Sequence, residues 1–369
     1  MALSRTACVS GLAPGFLPSA LPWLTPPPPP PANTLAGFVL SVTDYFAKTS
    51  DAALMVELAP AVESKLEHAQ AVWGSTVRLG FYGWDDRTGA GFAGVRASAE
   101  AQAAYRFLAM RAWLAWAGVL RATGNATGAE HWQGYYDAAV NATRAAGPAW
   151  YAPLGLFASA DALNAGFVAP AEAAAMVRAL FNDSVTICAL SPFNTFFVLQ
   201  ALAVAGELDR GTAAVHLCWD GMLRLGATTT WEIAKPAWDL FLHPTDNVPG
   251  FQGFTSLAHP WSSGATAWVT ANLAGVRPTA PGYAAYTVAP HIAGAMRGVA
   301  ATVPLPSGQA IGVRAEAAGQ QLASLCVAAP QGLAGTLEVS QLLAARLLSA
   351  GSSSGSSSGG GDGGGPAAL

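Results

Sequence analysis

The segment Ala97-Ser98-Ala99-Glu100-Ala101-Gln102-Ala103-Ala104-Tyr105-Arg106-Phe107-Leu108-Ala109-Met110-Arg111-Ala112-Trp113-Leu114-Ala115-Trp116-Ala117-Gly118-Val119-Leu120-Arg121-Ala122-Thr123-Gly124-Asn125 decides the fold class. Large apolar side chains from Tyr105 to Leu120 cover most of a helical circumference, and few charges interrupt them. A helix of that kind is buried on more than one side. Gly124-Asn125 is a stop signal. A second helical pattern then runs from about Ala129 to Ala145, with Trp132, Tyr136 and Val140 four residues apart. Two long helices joined by so short a loop are antiparallel neighbours.

The same unit repeats along the chain. Helical patterns begin near Leu35. Ala52 to Trp73 follows, with Pro60 expected to kink or split it. Downstream, 158–163, 170–181, 192–205, 210–225, 232–242 and 261–274 suit helices, and Pro170 fits a first helical position. Together these make about ten helices with almost no strand signal. The predicted architecture is therefore mainly α: an (α/α) toroid of six hairpins, short of the twelve helices of a complete one. After Gly275 the character changes to short strand-like runs, at 286–289, 298–303, 310–315, 322–327 and 335–339, separated by Gly-, Pro- and Ser-rich turns. A small β-sandwich is expected there. The resulting division is an irregular Pro-rich segment over 1–33, the helical domain over 34–275, the sandwich over 276–348, and a disordered Gly/Ser tail over 349–369.

Composition narrows the partners. The chain has 369 residues, 52% of them hydrophobic, enough for a large core. Only 11% are charged and the net charge is −4, which argues against a basic patch and a nucleic-acid partner. The uncharged stretch Ser184 to Gly206 is long enough to span a bilayer, but Ser191-Pro192-Phe193-Asn194-Thr195 interrupts it. A buried helical hairpin is expected, and no membrane span. Cys8, Cys188, Cys218 and Cys326 match no metal spacing and read as free thiols; a Cys188–Cys218 bridge has nothing to support it. No metal and no cofactor is expected. Sequons at Asn125, Asn141 and Asn182 permit a secretory or extracellular setting, while Gly11, Pro14 and Pro18 break any signal-peptide core.

Chemistry gathers downstream. Gly226-Ala227-Thr228-Thr229-Thr230-Trp231-Glu232 places a carboxylate beside an indole after three helix-poor threonines. On those residues alone, Glu232 reads as a first-turn acid and Trp231 as core. Then come Ser256-Leu257-Ala258-His259-Pro260-Trp261-Ser262-Ser263-Gly264, Leu273-Ala274-Gly275-Val276-Arg277-Pro278, Pro281-Gly282-Tyr283 and Ala289-Pro290-His291. In this order they resemble the C-terminal part of the catalytic region of α-L-rhamnosidases, which are six-hairpin glycosidases. The resemblance thins outward over roughly residues 35 to 345.

The resemblance implies a carbohydrate or glycoside substrate and inverting hydrolysis of terminal α-L-rhamnosyl or related deoxy-sugar linkages. Glu232 aligns with the general base and His259 with a histidine that contacts the sugar. Trp261, Trp231 and Trp84 are candidate sugar-binding side chains, with Asp85 beside Trp84 in the loop Tyr82-Gly83-Trp84-Asp85-Asp86-Arg87-Thr88-Gly89. That loop reads equally as a surface turn. An inverting enzyme needs a second carboxyl group as acid. The family carries it upstream of most of the barrel, where residues 1–43 hold no Asp or Glu. Three expectations follow: a truncated or misassembled version of a longer enzyme, a substitute acid such as Asp85 or Asp86, or a sugar-binding chain without activity.

Overall fold

The computed structural model describes residues 32–73, 99–181, 187, 192–232, 256–319, 321–339 and 367–368. The chain divides into two compact units, Met1–Trp268 and Val269–Leu369. The boundary falls inside a helix, Gly264–Asn272.

In the first unit, eight α-helices pair in sequence: α1 (Ala32–Thr49) with α2 (Ala52–Val72), α3 (Ala99–Ala122) with α4 (Ala126–Arg144), α5 (Leu156–Asn164) with α6 (Pro170–Leu180), and α7 (Pro192–Val204) with α8 (Leu208–Arg224). The first members also pack in succession, α1 on α3, α3 on α5, α5 on α7. Burial explains the two roles. In α3, Phe107 to Met110 are four consecutive buried residues, and at about 100° apart they occupy every side of the helix. Buried runs of consecutive residues recur in α5, from Ala158 to Leu163, and in α7, from Phe197 to Leu199. By contrast, α4 buries only the stripe Ala129, Trp132, Tyr136 and Ala139. Helices buried all round form an inner row, and single-stripe helices cover it. This is the hairpin logic of an α/α toroid, with four hairpins among the described residues and a ninth helix, α9 (Gly264–Asn272), beyond them.

Local chemistry sets the ends. Asn125 caps α4 by accepting the Gly128 N–H at 2.9 Å. The start of α5 has no side-chain cap of its own; Glu100 of α3 instead accepts the N–H groups of Gly155 and Ala158 at 2.6 and 2.8 Å. The expected break at Pro60 does not occur, and α2 runs through it as one helix. The carbonyl that Pro60 leaves without a partner belongs to Val56, whose side chain is 75% exposed, so water can satisfy it. None of the described helices is long and apolar enough to cross a membrane.

The second unit holds two sheets. One orders β1 (Val276–Pro278), β2 (Ala285–Val288), β6 (Ala334–Leu337) and β7 (Ala367–Ala368); the other orders β3 (Gly298–Pro304), β4 (Ala310–Ala318) and β5 (Gln321–Ala328). β2 and β6 run parallel, so the three antiparallel strands between them form the second layer. Val276, Tyr286, Val288 and Leu337 of one sheet share a core with Val303, Ile311 and Val313 of the other. β1 contains Pro278, and it pairs only with β2 among the described residues, at an edge where a proline is tolerated. Gly275 enters it at φ 75°, where a Cβ would lie 2.1 Å from the Ala289 carbonyl. Of the tail, Ala367–Ala368 pair with β6, and the remainder lies outside the described residues.

Two glycine-to-alanine changes separate space from propensity. Gly118 on α3 has nothing within 4 Å of its missing Cβ, whereas at Gly211 on α8 that Cβ would meet the buried Trp268 ring at 2.4 Å. Removing glycine from a helix interior stabilises by about 1 kcal/mol, and overpacking costs about 1–3 kcal/mol. In urea denaturation, Gly118→Ala is expected to raise the midpoint and Gly211→Ala to lower it.

Candidate active site

The site is built where α8 ends. Leu225 closes the helix and Gly226 follows in the left-handed region at φ 84°. Gly226 N–H donates to Leu223 O and Ala227 N–H to Met222 O, both at 3.0 Å. This double bond of a helix end releases the chain in a fixed direction. Thr228 to Glu232 then run as irregular backbone with bends at Thr228, Thr229 and Glu232, and the helix expected to begin at Glu232 is not present at that residue. Residues 233–255 lie outside the described ones.

Thr229 to Glu232 are clasped to Ser256–His259, which run in the opposite direction. Glu232 N–H donates to Ser256 O at 2.9 Å, and His259 N–H donates to Thr230 O at 2.8 Å. Two threonine hydroxyls reinforce the pairing: Thr229 donates to Leu257 O, and Thr230 to His259 O at 2.9 Å. The threonine run, read from the sequence as capping and turn residues, therefore serves as the fastening between two distant segments.

Trp231 and Glu232 are neighbours in the chain but have different surroundings. Trp231 is 5% exposed, and its backbone N–H points at Met222 Sδ, 3.4 Å away. Its faces are occupied by protein, so it is not the open stacking platform that the resemblance suggested. In Glu232, Oε2 accepts the Ser256 N–H at 2.9 Å and lies 3.9 Å from His259 Nδ1; Oε1 accepts no hydrogen bond from any described residue. The two side chains remain 30% and 25% exposed, so solutes reach them.

The His259 ring packs on Trp261 with centroids 4.4 Å apart and planes at 59°. Burial holds the imidazole below the ordinary histidine value, and the Glu232 charge pulls the other way without overcoming it. The imidazole is thus neutral at neutral pH, and the 3.9 Å approach is not an ion pair. Beneath this group, Ser262 O accepts the Trp219 indole N–H of α8 at 2.9 Å.

The structure thus brings Glu232, His259 and Trp261 together, with Trp231 behind them in the core. Trp84, Asp85 and Asp86 lie outside the described residues, as do residues 1–31. One aromatic residue has no counterpart in the sequence reading. Phe193, in the first turn of α7, stacks on Trp261 at 5.2 Å and 22°. It sits in the Ser191-Pro192-Phe193 run that reads only as an interruption of an apolar stretch. Among the described residues no group of three His, Cys, Asp or Glu could hold a metal ion. Cys218 is buried and Cys326 exposed.

No protein-family model matches the chain, and no curated protein matches it. Solved structures do. The α-L-rhamnosidase from Dictyoglumus thermophilum is similar over 84% of this chain and 34% of its own, at TM-score 0.66 and 14% identity. The GH78 family rhamnosidase of Bacillus sp. GL1 covers 84% of this chain and 33% of its own, at TM-score 0.64 and 19% identity. The Streptomyces avermitilis α-L-rhamnosidase, solved with L-rhamnose, covers 83% and 29% at TM-score 0.60 and 16% identity. This chain spans about a third of the length of these proteins. Paired helical rows followed by a two-sheet unit, together with these matches, show that the chain has an α-L-rhamnosidase-like fold.

Proposed function

We propose that the chain is a glycoside hydrolase domain of the α-L-rhamnosidase type, acting on terminal α-L-rhamnosyl or related deoxy-sugar linkages with inversion. The supporting observation is the clasp, which holds a half-open carboxylate at an imidazole and an indole. Glu232 is the general base. The Ser256 N–H fixes Oε2, and Oε1 is left to hold a water and take its proton as the water attacks the anomeric carbon. Neutral His259 offers one donor and one acceptor to sugar hydroxyls. Trp261 supplies an apolar surface beside it. The leaving oxygen needs a proton from a carboxyl on the opposite face of the ring. Asp85 and Asp86 are the loop carboxylates we nominate, and Trp84 next to them is a second stacking side chain.

A second reading is a chain that binds sugar without cleaving it. The observation behind it is the His259 and Trp261 pair, ring centroids 4.4 Å apart, which can hold a sugar ring whether or not a second carboxyl acts on it.

Glu232→Gln keeps the shape of the side chain and removes its basicity. Release of sugar from an aryl α-L-rhamnoside is expected to fall by about 10²–10⁴-fold, the usual worth of a general base. Undetectable turnover by the unaltered chain would remove the catalytic reading. In that case L-rhamnose binding by calorimetry, abolished in His259→Ala/Trp261→Ala, is what the binding reading requires; equal binding by that double variant counts against it.

The histidine gives a test by pH. A carboxylate stabilises imidazolium, so it raises the histidine pKa; burial lowers it, and burial prevails here. In an NMR titration the His259 midpoint is expected below the ordinary value of about 6.5. Glu232→Gln is expected to move it further down. An upward movement would mean that the carboxylate does not act on this imidazole.

A further inference from the structure

The geometry points to Phe193 as the positioning residue of the site, orienting the His259 imidazole through Trp261. The role it serves rests on the glycosidase proposal; the packing does not.

Nothing but packing fixes these rings. Some buried indoles of this unit are held by hydrogen bonds, as Trp219 is to Ser262 O at 2.9 Å and Trp268 to Leu199 O at 2.7 Å, while the Trp73 indole N–H has none among the described residues. The indole N–H of Trp261 is buried and has no hydrogen-bond partner among the described residues. Its plane is therefore set by the side chains against it. Phe193 lies nearly parallel to it at 5.2 Å and 22°, and His259 lies on it at 4.4 Å. Phe193 is braced in turn by Phe197, one helical turn on and 6% exposed, edge-on at 5.4 Å and 79°.

His259 has the same dependence. Its backbone is tied to Thr230, but its Nδ1 stands 3.9 Å from Glu232 Oε2, too far for a hydrogen bond. Glu232 is the charged group that the described residues bring to it. The ring is oriented by the Trp261 face, and that face by Phe193. The order runs from the α7 core through Phe197, Phe193, Trp261 and His259 to the carboxylate.

The test uses the full chain and the His259 ring resonance, assigned by its loss in His259→Gln. Phe193→Ala removes the brace, lets Trp261 tilt and admits water. The His259 midpoint is then expected to rise towards the ordinary histidine value, because relieving desolvation favours the charged form. Phe193→Tyr keeps the ring and is expected to restore the unaltered midpoint. With an aryl α-L-rhamnoside, Phe193→Ala is expected to raise KM about two- to tenfold, the worth of an aromatic pair, with kcat little changed. A Phe193→Ala protein that keeps its circular dichroism and the unaltered midpoint overturns the inference. If that variant does not fold, Phe193→Leu carries the same test: a raised midpoint supports the brace and an unchanged one refutes it. Because the titration needs no substrate, its result is separable from any failure of hydrolysis.

Discussion

The clasp between Thr229–Glu232 and Ser256–His259 is the constraint on which the site depends. Each of its hydrogen bonds contributes only about 0.5–1.5 kcal/mol net. Their effect is geometric. Glu232 engages Ser256 twice, once through its backbone N–H and once through its carboxylate. A slip in the register of the two segments would therefore displace the backbone and misdirect the side chain together. The threonine hydroxyls make such a slip costly, since each bonds a carbonyl on the opposite segment. A register fixed at Thr230 and His259 carries the imidazole to the carboxylate without any direct bond between them.

The helical unit supplies the rigid ground for this clasp. First turns of the inner helices make contacts beyond their own hairpins. Glu100 in the first turn of α3 caps the start of α5. Phe193 in the first turn of α7 stacks on Trp261, just past the turn that follows the clasp. The residues that meet here are far apart in sequence because the inner helices present their first turns in succession. The α4–α5 connection is pinned in its own way: Trp150 and Arg144 both bond Glu172, and the Arg144 guanidinium lies over the Trp150 ring at 5.5 Å. That guanidinium bond is the main reason the Glu172 carboxyl is held down to about 2.

Much of the architecture was legible because its signals are local. The α3–α4 hairpin follows from a run of apolar residues and a Gly-Asn stop, both contained in the segment they describe. The helix ends deviate from the reading by up to three residues, as at α4, which starts at Ala126 rather than near Ala129 because Asn125 caps it. What could not be read depends on partners distant in the chain. Thr229 and Thr230 look like turn residues until Leu257 and His259 are seen opposite them. Trp231 reads as core from its own segment and becomes a candidate sugar platform only through the resemblance; the indole lies in the core. Phe193 carried no local mark at all. Of the two outcomes expected at Pro60, a kink or a split, the split does not occur: the cost of proline falls on the carbonyl four residues back, that of the exposed Val56, which water can satisfy.

The neutral state of His259 follows from how open the site is. At 3.9 Å, two unit charges attract by about 4 kcal/mol at the effective dielectric of a protein surface, but by only about 1 kcal/mol in water. Glu232 and His259 are each about a quarter to a third exposed, so solvent screens their attraction towards the lower figure. Desolvation of the imidazole then prevails, and no proton is drawn in. An ion pair would need a direct, well-aligned contact to offset that desolvation, and it would tie up the carboxylate oxygens. A half-open site keeps the carboxylate and the imidazole adjacent but uncommitted, one free to accept a proton from water and the other to hydrogen-bond a hydroxyl. The positioning must then come from elsewhere, and it comes from the clasp on one side and the aromatic stack on the other.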